Sequence, residues 1–146
     1  MMSRQTVTKW LILDQPHIDL VKRLPRGSGV LLLSRCDASQ ERQFRRLAQA
    51  RGLVILREAP RTCTRVHNLR ELTHALLHGS PLILLSPLYR TRSHPDWKPL
   101  PRMRAAALAR LTNREAIALG GMNQRRYATV APLGFKGWAG ISAFRT

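Results

Sequence analysis

The sequence predicts one α/β domain spanning residues 1–146, a parallel sheet with helices around it. Three observations predict this. Short apolar runs alternate with amphipathic stretches along the chain. The runs are continuous rather than every-other-residue, as strands buried on both faces are. The apolar 44% is mostly Leu, Ala, Ile and Val with few aromatics, a mixture that suits helices packed around buried strands.

The first run, residues 10–13, ends at Asp14, a carboxylate placed to hold a neighbouring arginine. The second, 30–33, follows Gly27-Ser28-Gly29; these glycines precede a strand, whereas a dinucleotide-binding loop follows one. Asp37 or Ser39 then caps a helix with Phe44, Leu47 and Ala48 on one face. The third run is 53–56, and a weaker strand covers 62–66. Asn68, with Glu71 three residues on, has capping-box spacing ahead of Leu69, Leu72 and Leu76. After the run 82–85, Pro101 opens a helix with Met103, Ala107, Leu108 and Leu111 on its expected apolar face. The run 116–119 leads to a helix capped by Asn123, holding Tyr127, Val130 and Ala131 and stopped by Gly134. The last run is 138–141. Repeated strand–helix units imply parallel pairing with right-handed crossovers. A barrel and an open sheet both satisfy the pattern, although eight complete units usually need 200 residues or more.

Composition narrows the function classes. The net charge of +17 arises from 21 arginines and four lysines against eight acids, which favours anionic partners. The arginines are scattered without a basic tail or aromatic interleaving, so nucleic acid is the less expected partner. Cys36 and Cys63 lack metal-ligand spacing and read as free thiols of a reducing compartment. The start has no secretion pattern and no run approaches membrane-spanning length, so the expectation is a cytoplasmic protein without a membrane partner.

In such folds ligands meet the C-terminal ends of strands. Leu119-Gly120-Gly121-Met122-Asn123 is the clearest of these ends. Glycines there let backbone amides approach an anion at a helix start, and they equally serve a tight strand-to-helix turn. Gly137-Trp138-Ala139-Gly140-Ile141-Ser142 ends the last strand with further amides and a hydroxyl. In the long polar segment after Leu85, Arg90, Arg92 and His94 suit phosphate contacts, and Thr91 and Ser93 suit hydrogen-bond donation. Glu58 and Asp37 lie beyond strand ends, where carboxylates hold Mg²⁺ between phosphates or are plain surface groups. His67 reads as a site residue or a packed histidine. No Walker loop, nucleophile elbow or zinc signature is present.

These residues together resemble thiamine phosphate synthase and its TenI-like relatives, most strongly over residues 64–144. Arg65-Val66-His67-Asn68 is similar to the family's fifth strand and Ser86–His94 to its sixth-strand loop. Ala118-Leu119-Gly120-Gly121-Met122 matches the seventh, and Gly140-Ile141-Ser142-Ala143 the eighth. The resemblance implies a shortened (βα) TIM-barrel-like fold. It implies a reaction joining an aminopyrimidine pyrophosphate to a thiazole phosphate, with Mg²⁺ assisting pyrophosphate departure. Gly120, Gly121, Ile141 and Ser142, lined by Thr91 and Ser93, would hold the thiazole phosphate. Arg35 would contact pyrophosphate, with Arg92 and His94 in the catalytic loop, and Glu58 would be a metal ligand.

Departures from the family pattern bear on activity. Asp37 stands for a lysine, His94 for the loop lysine, Arg57-Glu58 for an Asn-Asp pair and Arg65 for a serine. The fourth strand, with its metal-binding acid, has no counterpart after Ala59. The expectations are therefore a synthase-like transferase with weak or lost activity, or a non-catalytic TenI-like binder of a phosphorylated metabolite. A basic nucleic-acid-associated module is the third reading. An open sheet edge would favour pairing with another subunit.

Overall fold

A computed structural model describes residues 7–33, 35–59, 61–91, 95–141 and 144. Its elements are β1 (Lys9–Leu13), α1 (Ile18–Lys22), β2 (Gly29–Leu32), α2 (Ala38–Arg51), β3 (Val54–Arg57), β4 (Cys63–Val66), α3 (Leu69–Leu77), β5 (Leu82–Leu85), α4 (Arg102–Arg110), β6 (Glu115–Leu119), α5 (Gln124–Val130) and β7 (Gly137–Gly140). A single 3₁₀ turn, Ala131–Leu133, follows α5 and ends at Gly134 in the left-handed region. All seven strands fall on the predicted runs.

Every strand pair is parallel, in the order β3-β2-β1-β7-β6-β5-β4. The first and last strands are thus central neighbours, as in a (βα) barrel, but the wall is open between β3 and β4. The reason is the link between them. Parallel neighbours need a crossover of roughly a dozen residues or more, and this link is a tight turn. The Thr62 hydroxyl donates to the Arg57 carbonyl at 2.7 Å, and the Thr62 and Cys63 amides donate to the Ala59 carbonyl at 2.9 and 3.0 Å. Two edges result where a complete barrel has none.

Residues alternate between the two faces of the sheet. Trp10, Ile12, Leu31, Cys63, Leu82, Leu84, Ile117 and Ala139 pack together on one face. Gly29, the register partner of Trp10, leaves room for the indole, which a Cβ would strike. On the other face, Leu11, Leu13, Val30 and Leu32 pack with Val21, Leu24 and Phe44 beneath α1 and α2. Val66, Ile83, Leu85, Ala116 and Ala118 pack with residues of α3, α4 and α5. Full burial of each large aliphatic contributes about 1.5–3 kcal/mol.

Helix starts follow the predicted caps. The Asp37 carboxylate accepts from the Gln40 amide at 2.8 Å while Gln40 Oε1 accepts from the Asp37 amide at 3.0 Å, a reciprocal capping box. Asn68 accepts from the Glu71 amide at 2.9 Å and Asn123 from the Arg126 amide at 2.8 Å. The expected face of α4 is corrected. Ala105, Ala106, Leu108 and Ala109 are buried, whereas Met103 is 84% and Leu111 61% exposed. Small residues bring the helix close to the sheet and leave the large ones outside.

Candidate functional site

The ends of β6 and β7 are adjacent and in register, Leu119 opposite Ala139. This brings the Gly120-Gly121 turn beside Gly140 and Ile141; a Cβ on Gly140 would lie 3.3 Å from the Met122 carbonyl. Both turn glycines are left-handed, at φ +104° and +59°. They are also pressed from above. A Cβ on Gly120 would meet Pro87 Cα at 2.7 Å, and one on Gly121 would meet the Arg90 carbonyl at 2.6 Å. The segment after β5 is stitched to this turn: Leu88 N–H donates to the Leu119 carbonyl at 2.9 Å and Tyr89 N–H to the Gly120 carbonyl at 3.1 Å. Thr91, which follows directly, is carried to the same region.

The close contacts meet the packing reading of these glycines. They permit close packing, and the amides beyond β6 are left as donors. Among the described residues, none accepts from the amides of Gly120, Gly121 or Met122. Successive amides in left-handed and turn conformations form anion-binding concavities.

Residues not singled out from the sequence surround this turn. Arg126 donates from Nη1 to the Gly121 carbonyl at 2.5 Å and stacks its guanidinium 4.6 Å from the Tyr89 ring centroid. Arg102 donates to the Tyr89 hydroxyl at 3.1 Å, which also lies 3.1 Å from Thr129 Oγ1. The available signal was positional: Arg126 is in the first turn after the Asn123 cap, where side chains lean back toward the helix start.

A second cleft, about 360 Å³, lies at the β4–β5 end and is lined by His67, Ser86, Pro87, Trp97, Lys98 and Leu100. His67 Nδ1 is 2.8 Å from Glu71 Oε2, which also accepts the His67 amide at 2.9 Å. Burial pushes the Glu71 carboxyl up, but these hydrogen bonds from His67 outweigh it and hold the group below its ordinary value. Trp97 meets His67 edge-on, with ring centroids 5.6 Å apart. His67 is thus hydrogen-bonded and half-exposed at a cleft wall. Cys63 is buried in the sheet core. Burial, with a smaller contribution from the Glu58 carboxylate, pushes its thiol up to about 11, so it stays protonated and inert.

The other half of the rim is arranged differently. Glu58, the expected Mg²⁺ ligand, follows β3 and gives both carboxylate oxygens to Arg65 on β4, at 2.9 and 3.1 Å. Asp37 is occupied by the α2 cap. Among the described residues no three His, Cys, Asp or Glu side chains come together. Mg²⁺ is usually held by one or two carboxylates together with substrate phosphates and water, and the carboxylate expected for this, Glu58, is already paired with Arg65. Arg35 lies beyond β2, exposed and separated from β6 by β1 and β7. The structure therefore brings Thr91, Gly120, Gly121 and Ile141 together and leaves Arg35 and Glu58 on the far side. Arg92, Ser93, His94 and Ser142 lie outside the described residues.

Comparisons with known proteins match the second half of the sheet by sequence and nearly the whole chain by fold. The family model described as thiamine monophosphate synthase matches residues 62–144, from the start of β4 to beyond β7. A protein of Aquifex aeolicus called putative thiamine-phosphate synthase 2 is 32% identical over 78 residues, covering 53% of this chain and 42% of that relative. The chain thus spans less than half the length of the curated relative it matches. Among solved structures, a thiamine phosphate pyrophosphorylase from Pyrococcus furiosus superimposes with a TM-score of 0.78 at 14% identity, covering 96% of this chain and 88% of that one. At that identity the likeness concerns fold. With more than half of its residues matched by the family model, from the strand that opens the second half of the sheet to the turn that ends it, this chain belongs to the thiamine monophosphate synthase (TenI) family.

Proposed function

We propose that the protein binds a phosphate monoester of the thiazole phosphate class at the β6–β7 rim, without acting alone as a Mg²⁺-dependent synthase. One observation carries this reading: three consecutive amides, Gly120 to Met122, beside the end of β7, have no acceptor among the described residues, with Arg102 and Arg126 anchored next to them. Oriented amides in a basic surround attract phosphate and cost little reorganisation on binding. In this reading Thr91, Ser93, Ile141 and Ser142 complete the phosphate shell, and Arg92 and His94 are candidate charged contacts. The synthase reaction asks for more, since a departing pyrophosphate needs charge neutralisation held in place. With Glu58 paired to Arg65, that part of the site is the one the donor set does not support.

Two measurements on the purified chain test the proposal. Calorimetric titration with thiazole phosphate is expected to give the same affinity in Mg²⁺ and in EDTA, and binding detectable only with Mg²⁺ would reject it. Thiamine phosphate formation from both substrates is expected to stay at the no-protein rate. Turnover comparable to an active family enzyme assayed alongside would replace binding with catalysis.

A further inference from the structure

The open wall beside β3 is lined, and its lining specifies a partner. A groove of about 430 Å³ lies between α2 and β3, lined by Phe44, Ala48, Ile55 and Leu56 and by Arg45 and Arg57. In a repeated βα architecture the helix that follows a strand packs over it, and here the chain turns from β3 straight into β4 with no helix between. The edge itself offers little to an added strand. Val54 N–H donates to the Ser28 carbonyl and Glu58 N–H to the Leu32 carbonyl, so Ile55 and Arg57 turn their peptide groups outward. The Arg57 carbonyl already accepts from Thr62, which among the described residues of this edge leaves Ile55 with both groups available. The seat suits a helix better than a strand.

Charge defines the occupant further. Arg42, Arg45 and Arg46 are exposed on α2 and Arg61 on the link, while Glu41, the acid at the rim, is paired with Arg57. A second copy of this chain would bring another +17. Its own helices are poor candidates: α2 to α5 contain two acids, Glu41 and Glu71, both engaged in ion pairs. Nucleic acid would satisfy the arginines but gain little from the apolar lining, whose one ring, Phe44, is buried. We propose that this groove receives an amphipathic helix of a partner protein, aliphatic on one face and acidic on the other, which supplies the missing wall of the sheet.

The test uses the full chain and a fluorescent peptide roughly four turns long, with leucines at i, i+3, i+4 and i+7 and glutamates elsewhere. A scrambled peptide of equal charge lacks the apolar face. Anisotropy is expected to show the patterned peptide binding about tenfold more tightly than the scrambled one. Arg45→Glu and Ala48→Arg are each expected to weaken it about fivefold or more, while Arg104→Glu, at an exposed position of α4, leaves it unchanged. Equal binding of the two peptides would overturn the proposal, because the net charge alone would then explain association. An equal loss from Arg104→Glu would do the same. So would displacement of the peptide by a single-stranded oligonucleotide that binds with unchanged affinity to Ala48→Arg, or self-association of the chain that Ala48→Arg abolishes.

Discussion

The two halves of the sheet have kept different things. From β4 to β7 the chain carries the family's motifs, and β5 and β6 run between covered faces to end beneath a stitched glycine turn. From β1 to β3 it retains the strand order and a dense core, yet it stops at an edge where Val54 is 39% exposed and the acid expected to hold metal is paired with arginine. The difference teaches that a parallel sheet asks mainly for apolar side chains at the right period, which many sequences satisfy. A metal site asks for particular oxygens at particular points, and here the acid expected to supply one is paired with Arg65. The fold can therefore persist across a boundary that the family's sequence motifs do not cross.

The comparison breaks most visibly if the edge is as tightly packed as the centre. Ile117, fully buried in β6, and Ile55, half-buried in β3, have the same side chain in the two settings. Ile117→Ala is expected to cost about 2–5 kcal/mol in urea unfolding, because a cavity remains in a core that cannot collapse. Ile55→Ala should cost about 1 kcal/mol or less, since its deleted methyl groups were partly in water. Equal losses would mean that β3 is covered in the protein as it exists in solution, for instance by self-association.

The rim gives a narrower contrast between two left-handed glycines. Gly121→Ala meets both backbone strain and the Arg90 carbonyl, whereas Gly134→Ala, at φ +113°, has its nearest neighbour at 3.9 Å. Each is expected to lose about 1–3 kcal/mol of stability, with Gly121→Ala at the upper end. Only Gly121→Ala should weaken thiazole phosphate binding, by about tenfold or more, because it displaces the amide-bearing turn. A Gly134→Ala protein that binds as poorly would show that general loosening, rather than the turn, controls the ligand.

Much of this was legible in the residues, for physical reasons that also explain the exceptions. Continuous runs such as 82–85 marked strands because burial on both faces leaves no place for polar residues. Asp37, Asn68 and Asn123 marked helix starts because capping is a local bond between residues close in sequence. The break after Ala59 was visible as a simple shortage of chain. By contrast, α1 escaped notice: it has five residues and its N-cap, His17, makes no side-chain capping bond. The face of α4 was misjudged because Met103 and Leu111 outweigh three alanines in any hydrophobic pattern, although only alanine permits the close approach. The Glu58–Arg65 pair and the Arg126–Gly121 contact were illegible, since each depends on how two strands or loops come to rest beside one another.

The smallest expected effect probes the junction of β4 with α3, where local and tertiary bonds meet on one carboxylate. Glu71 accepts from the ring and the amide of His67, and its pKa is held below the usual glutamate value despite partial burial. A carboxylate with a lowered folded-state pKa adds stability at pH values above its unfolded pKa, about 4.3. That contribution is lost as pH falls through the lower folded value. Wild type should therefore lose a few tenths to about 1 kcal/mol more than Glu71→Gln on acidification from about pH 6 to about pH 3. The size is limited because the side chain is 42% exposed and solvent screens it. Urea midpoints followed across that range for both proteins measure the difference, and raising the salt should shrink it. Parallel acid limbs would show that the His67 bonds persist with a neutral partner, making Glu71 an ordinary hydrogen-bond acceptor of the helix start rather than a charged one.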